Sequence, residues 1–107
     1  MTSDPHAKRD GEPPAVFSRE LGLTHAEFLG FLPPAIAHRP FTVADDTVRI
    51  EDGRRTLIIE LGPQHYRRIA SLRLPYLEAR FVFDGYTGGE RRAFMARFER
   101  CFQRGGG

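Results

Sequence analysis

Two runs of alternating apolar residues flank Asp52-Gly53, and this pattern constrains the fold of the chain more than any other. The first run covers residues 47–51 and the second covers residues 54–61. Asp-Gly favours a two-residue hairpin turn, because a type I′ turn needs positive φ at both central positions. The sequence therefore predicts an antiparallel β-hairpin centred on this dipeptide.

The turn also predicts which residues of the hairpin face the core. With Asp52-Gly53 as the turn, Ile50 pairs with Arg55, and residues two apart share a face. One face is then apolar, comprising Val48, Ile50, Leu57, Ile59 and Leu61. The other face is largely polar, comprising Arg49, Glu51, Arg54, Thr56 and Glu60.

A second extended region follows Gly62-Pro63 and contains apolar residues at positions 72, 74, 77, 79, 81 and 83. The parity of these positions changes across Pro75. Either a bulge at Pro75 restores the facing, or two separate strands meet there. Residues 41–43 add a short edge strand, so we expect a sheet of three to four strands.

Two helices are indicated by capping boxes, in which a hydroxyl and a carboxylate satisfy each other's free backbone N–H groups. The first box is Thr24 with Glu27, and Pro33-Pro34 is expected to end this short helix. The second box is Thr87 with Glu90. An apolar stripe follows it at helical spacing, formed by Phe94, Phe98, Cys101 and Phe102.

These elements predict an α+β fold in which the last, amphipathic helix covers one face of a small antiparallel sheet as a two-layer sandwich. Residues 1–15 combine proline, glycine and charge, and are predicted to form a disordered tail. Residues 16–104 then form a single domain, and residues 105–107, all glycine, form a flexible end.

The chemistry of the side chains argues against a metal or catalytic site. Cys101 is the one cysteine among 107 residues, which excludes an intramolecular disulfide and cysteine-based metal sites. The four histidines lack the spacing of zinc ligands, and no acid, base and nucleophile are grouped. We expect no catalytic residue, no metal and no cofactor. Without a signal sequence or apolar span, a cytoplasmic protein that does not enter a membrane is predicted.

Charge is distributed unevenly along the chain. Residues 1–52 hold five basic and nine acidic groups, a balance of −4, whereas residues 53–107 hold eleven basic and five acidic groups, a balance of +6. Nearly all of the basic residues are arginine, whose planar fork suits phosphate and carboxylate groups. This split is compatible with complementary halves of one fold, with self-association, or with an anionic partner.

Two groups of residues are the predicted binding positions. The first lies on the polar face of the sheet, and Arg73 belongs to it only if the bulge at Pro75 exists; the group is Arg49, Arg54, Arg73, Tyr76 and Arg80. The second follows the start of the last helix and its apolar stripe: Arg91, Arg92, Arg97, Arg100 and Arg104.

These observations predict a small non-catalytic binding or accessory module. It would work by protein–protein contacts, through the open sheet face or the arginine-edged last helix, with an unidentified protein or a second copy as partner. One alternative is a nucleic-acid-binding domain that uses the arginines of the sheet face. A further alternative is an enzyme whose site is assembled across a dimer interface.

Overall fold

The structure, a computed structural model, describes residues 12–106, with side chains described as far as Phe102. In chain order its elements are β1 (Val16–Leu21), α1 (His25–Ala35), β2 (Phe41–Ala44), β3 (Thr47–Asp52), β4 (Arg55–Leu61), β5 (His65–Ile69), β6 (Leu72–Asp84) and α2 (Gly88–Gly106). The strands pair antiparallel in the order β1-β6-β4-β3-β2, and β5 pairs with the start of β6.

The fold is therefore α+β, as predicted, but the strand number and the position of the first helix differ. The described residues form six strands instead of three or four, and a strand precedes α1. In β1 the inward position between Phe17 and Leu21 is taken by Arg19, which pairs with Glu99 of α2. This inward charge interrupts the apolar alternation that would have indicated a strand.

Both helices contribute to one core with the inner face of the sheet. Phe98 of α2 packs edge-on against Phe81 of β6 with ring centroids 5.3 Å apart, and Phe28 of α1 lies 6.2 Å from Phe98. All three rings are almost fully buried. Burying a side chain of this size stabilises the fold by about 1.5–3 kcal/mol relative to exposure. These aromatic contacts join the two layers.

The β3–β4 hairpin has the predicted facing, but the predicted pairing is wrong by two residues. The turn is formed by Gly53 and Arg54, so that Asp52 pairs with Arg55. Their side chains form an ion pair across the turn, and Gly53 supplies a φ of 65°. Because a shift of two residues keeps every side chain on its own face, the predicted apolar face is confirmed: Val48, Ile50, Leu57, Ile59 and Leu61 are all buried.

The first capping box is confirmed, but the predicted end of the first helix is wrong. The Glu27 amide donates to the Thr24 hydroxyl at 3.1 Å, and the Thr24 amide donates to the Glu27 carboxylate at 2.9 Å. The helix passes through Pro33 and Pro34 and ends at Ala35. A proline lacks a donor, but its fixed φ is itself helical. The carbonyls of both prolines still accept hydrogen bonds from the residues that follow α1.

The second capping box and the apolar stripe of α2 are also confirmed. The Glu90 amide donates to the Thr87 hydroxyl at 3.1 Å, and the Thr87 amide donates to the Glu90 carboxylate at 2.9 Å. Along the stripe, the three phenylalanines are buried and Cys101 is half-buried.

β6 is one continuous strand of 13 residues, so neither prediction for Pro75 is correct. The irregularity lies in the neighbouring chain segment. Three residues, 62–64, separate the pair Leu61–Ala79 from the pair His65–Tyr76, whereas β6 has only two residues in that interval. One extra residue on one side of a pair is the arrangement of a β-bulge.

Gly62 allows the close approach of backbones at this bulge. Its amide donates to the carbonyl oxygen of Glu78 at 2.8 Å, and a Cβ added at Gly62 would lie 3.2 Å from the same oxygen. Because β6 keeps its alternation, Leu72 and Leu74 face the opposite side from Leu77. Arg73 consequently lies on the opposite face from Arg80, contrary to the prediction that depended on a bulge at Pro75.

The predicted disordered tail falls mainly on residues 1–11, which lie outside the described residues, as does Gly107 of the predicted flexible end. Both remain predictions. Within the described part, the carbonyl of Ala15 accepts a hydrogen bond of 2.8 Å from the amide of Phe83.

Candidate functional site

A two-stranded ribbon extends from the sheet and is the most exposed part of the fold. We call residues 65–76 the arm, which consists of β5, the turn Ala70-Ser71 and the first five residues of β6; the remaining described residues are the body. Pairing of β1 with β6 begins at Leu77, so within the described chain the two arm strands pair with each other alone. Every residue of β5 is exposed.

One face of the arm presents large aliphatic side chains to solvent. Ile69 pairs with Leu72 next to the turn, and Leu74 follows on the same face. Their exposed fractions are 51%, 59% and 39%. By strand alternation this face continues into the outer face of the sheet, the side away from both helices. Folding alone does not account for three neighbouring aliphatic residues in these positions.

The other face of the arm carries two arginines directly opposite each other. Arg68 of β5 pairs with Arg73 of β6, and both side chains are exposed. Like charges that face each other across two strands are destabilising. No carboxylate of the described residues lies within ion-pair distance of either guanidinium. The arm therefore concentrates positive charge that the body does not neutralise.

Stacking and one ion pair fix the base of the arm. The guanidinium of Arg73 lies 4.0 Å from the ring centroid of Tyr66, and that of Arg67 lies 4.1 Å from the ring of Tyr76. Arg67 also forms an ion pair of 2.9 Å with Glu20 of β1. The base of the arm is thus held to the body, while its tip has only its own pairing.

The outer face of the sheet, where binding arginines were predicted, is electrically compensated. Arg80 donates to Glu60 at 2.9 Å, and Arg49 donates to Glu51 at 2.8 Å. Arg54 lies in the turn at the far end of the sheet instead of on this face. Of the predicted sheet-face group, Tyr76 and Arg73 belong to the arm, and the structure separates them onto its two faces.

The predicted arginines of α2 divide into structural and exposed ones. Arg91 donates to the carbonyls of Pro13 at 2.8 Å and Tyr86 at 3.0 Å, and Arg97 donates to the carbonyl of Pro34 at 3.0 Å. These bonds hold the helix to neighbouring chain segments. Arg92 and Arg100 are exposed, and the side chain of Arg104 lies outside the described part of the chain.

A charged cluster at the opposite end of the sheet from the arm fixes the start of α2. Arg55 pairs with Asp52 and Glu90, and its guanidinium lies 4.8 Å from the Tyr86 ring centroid. The backbone N–H of Thr87 lowers the pKa of Glu90, burial raises the pKa of Tyr86, and the hydrogen bond to Asp52 raises the pKa of Arg55. Arg39 joins the cluster at 3.2 Å from Asp52. The charges satisfy one another, which is typical of a structural network.

The groove between β1 and α2 does not group reactive side chains. It is open, has a volume of about 530 Å³ and is lined by Phe17, Met95 and the Arg19–Glu99 ion pair. The His25 ring lies 2.8 Å from the carbonyl of Gly62, where it joins α1 to the bulge. Among residues 12–106 no group of three histidine, cysteine or acidic side chains is placed to hold a metal ion.

No protein-family model, curated protein or solved structure matches this chain. Neither α1 nor α2 has the length and apolar character needed to cross a bilayer, and these are the helices of the described residues. The arm is the surface that combines exposed aliphatic groups with uncompensated charge. The sequence predicted Arg73 and Tyr76 as binding residues but not Tyr66, Arg67 and Arg68. The signal that could have indicated them is the segment 61–77, which contains three arginines and no acidic residue.

Proposed function

We propose that this protein is a non-catalytic binding module that engages a macromolecular partner with its arm. The observation that carries the proposal is the composition of the arm surface. Ile69, Leu72 and Leu74 are exposed on one face, and Arg68 opposes Arg73 on the other. The opposed arginines cost stability in the isolated chain, and the exposed aliphatic groups contribute none. The complex with a partner that covers the aliphatic groups and supplies negative charge would be stabilised by both.

The outer face of the sheet flanks this surface instead of forming its centre. Its arginines are paired within the body, so a partner would have to break those ion pairs to bind them. Exposed ion pairs of this kind contribute little affinity. The half-buried Ile58 and Val82 extend the aliphatic face of the arm across the sheet. A protein, a second copy or a nucleic acid are the partners predicted from the sequence, and each would use the same arm.

The reactive side chains of the body are engaged in structural contacts, and this supports a binding role over a catalytic one. Asp52, Glu90 and Arg55 are engaged in one network, and His25 contacts a backbone carbonyl. A general base needs a free position within hydrogen-bond reach of its substrate. The groups in the body are instead occupied in holding elements together.

The experiment is a comparative capture from native cell extract with the tagged full chain. The test variant is I69S/L72S, which removes the aliphatic tip of the arm. The control is V16S/V43S, which changes two similarly exposed aliphatic residues on the opposite edge strands of the sheet. We expect a discrete partner to be retained by the parent chain and the control, and lost from the arm variant.

Both variants should first show the unfolding midpoint of the parent chain, so that a loss of capture reports on the surface. Each captured sample is then divided and treated with nuclease. Partner retained equally by the arm variant and the control would contradict the proposal. Arm-dependent capture supports it whether or not nuclease removes the partner.

A further inference from the structure

We infer that the partner of the arm is duplex DNA, an inference that rests on the proposed binding function. The charge of the arm supports this partner. Residues 61–77 contain three arginines and no aspartate or glutamate. Phosphate contacts by arginine and lysine provide most of the sequence-independent affinity for nucleic acids. The carboxylates Glu20 and Glu78 lie at the base of the arm, so contact is confined to its outer part.

The shape of the arm fits a groove of duplex DNA. The major groove of B-DNA is about 12 Å wide and admits a two-stranded β-ribbon, in which the strands lie about 4.8 Å apart. Arg67 lies on one face of the arm, while Arg68 and Arg73 lie on the other. Arg67 is held in its ion pair with Glu20. A ribbon that enters a groove tip first can therefore direct Arg68 and Arg73 together towards the phosphate backbone on one side of the groove.

The tip of the arm would reach the floor of the groove. Ile69 and Leu72 are paired beside the turn and are the most exposed large apolar residues of the described chain. Apolar side chains in this position contact the methyl groups of thymine. DNA thus covers the aliphatic groups that the protein leaves in water.

The rings of the arm argue for a duplex over a single strand. Binders of single strands stack bases on open aromatic faces. Here an arginine already covers one face of Tyr66 and one face of Tyr76, at 4.0 and 4.1 Å, and the two rings lie on opposite faces of the ribbon. Duplex RNA is disfavoured as well, because its major groove is too narrow for side chains to enter.

The turn argues against a lipid surface as the partner. Insertion into a bilayer stabilises a loop in proportion to the apolar area that it buries. The outermost residues of the arm are Ala70 and Ser71, which offer a methyl group and a hydroxyl. Arg68 and Arg73 follow directly behind Ile69 and Leu72, so little apolar surface can enter before charge does.

The test is fluorescence anisotropy of a labelled mixed-sequence 24-base-pair DNA duplex titrated with the full chain. The same-sequence single strand, the RNA duplex and phosphatidylserine-containing vesicles are compared in parallel. With two phosphates contacted, affinity for the DNA duplex should fall about 12-fold between 50 and 200 mM NaCl. Variant R68Q/R73Q should make the slope of log affinity against log salt shallower by about 2.

Two further variants make the result specific. R92Q/R100Q removes the same charge from exposed positions on α2 and should keep the parent slope. I69S/L72S should weaken binding while leaving the slope unchanged, because it removes apolar contact and no phosphate contact. Equal losses in R68Q/R73Q and R92Q/R100Q would overturn the inference, as would tighter binding to the single strand, RNA or vesicles.

The two proposals fail in different ways. If the arm-dependent partner from extract is a protein that survives nuclease, and the duplex is not bound, the binding module stands and the DNA inference is wrong. If the duplex is bound equally well by the parent chain and both arm variants, the arm is not the DNA-binding surface and the DNA inference is wrong. The proposed binding function falls only if the partner captured from extract is also retained by I69S/L72S.

Discussion

The body and the arm of this protein differ in the burial of their apolar residues and in the pairing of their charged residues. In the body, most large apolar residues are buried and many charged residues have partners, as with Arg80 and Glu60 or Arg55 and Asp52. In the arm, Ile69 and Leu72 face solvent, and Arg68 faces Arg73. The first arrangement is explained by folding alone, whereas the second is the basis of the proposed interaction with a partner.

The body and the arm are also expected to differ in local stability. An isolated two-stranded ribbon is at best marginally stable in water. The arm adds no buried side chain to the core, and its turn holds Ala70 at a φ of 56°, a conformation that costs a non-glycine residue free energy. We therefore expect the arm to open locally without unfolding the body. Four measurements test this contrast, in order of decreasing effect on stability.

The largest effect is expected for F81A in the body. Phe81 is fully buried, lies 5.0 Å from Phe17 in a stacked arrangement and meets Phe98 edge-on. Removing such a ring leaves a cavity and costs about 3–5 kcal/mol. Urea denaturation followed by far-UV circular dichroism measures the loss. A loss below about 1 kcal/mol would mean that the body is packed as loosely as the arm.

The next effect is expected for G85A, where the turn before α2 meets the β3–β4 turn. Gly85 has a φ of 83°, and a Cβ added there would lie 2.8 Å from the carbonyl oxygen of Arg54. Strain of this kind costs about 1–3 kcal/mol. The matched control is G89A, which has open space around the added carbon. Equal stability of the two variants would show that this end of the body is not tightly packed.

A smaller effect is expected from pH, again confined to the body. The lowered pKa of Glu90 contributes stability that is present above its usual value of 4.5 and is lost as pH falls through the lower folded value. The raised pKa of Tyr86 contributes stability that is present below pH 10 and is lost at higher pH. Variants E90Q and Y86F should flatten the acid and alkaline limbs of the stability profile, respectively. If the acid and alkaline limbs of the variants match those of the parent chain, Glu90 and Tyr86 are not the cause of the pH dependence.

The smallest effect on global stability is expected for the arm variant I69S/L72S. Both side chains are more than half exposed, so the free energy of unfolding should change by less than about 0.5 kcal/mol. Amide hydrogen exchange of the arm, measured in the same samples, should be faster than that of residues 77–83 in the parent chain. A loss comparable to that of F81A would show that the arm is part of the core.

The sequence predicted those features that depend on neighbouring residues. Both capping boxes and the apolar stripe of α2 are local patterns, and all three are present. The facing of the β3–β4 hairpin was also correct. Its pairing was not, because the Asp52–Arg55 ion pair and Gly53 together shift the turn by one residue, and turn propensity alone does not detect this.

The features that were missed depend on distant pairing. β5 has no buried residue, so no apolar periodicity in the sequence marks it as a strand. It forms a strand because it pairs with β6. The parity change at Pro75 was detected, but its cause is the extra residue in 62–64 on the neighbouring segment, which the sequence of β6 does not contain. Most of the candidate surface was missed for the same reason, since Arg68 and Arg73 become neighbours only through this pairing.

Because β6 is continuous from the arm into the sheet, the length of the arm can vary. Since side-chain facing repeats every two residues, lengthening each arm strand by two residues preserves both faces and extends the ribbon by about 7 Å. The core is untouched, because the arm pairs with no strand of the body within the described residues. Odd insertions would exchange the faces at the tip. The length of the arm can therefore change in steps of two residues per strand, by evolution or by design.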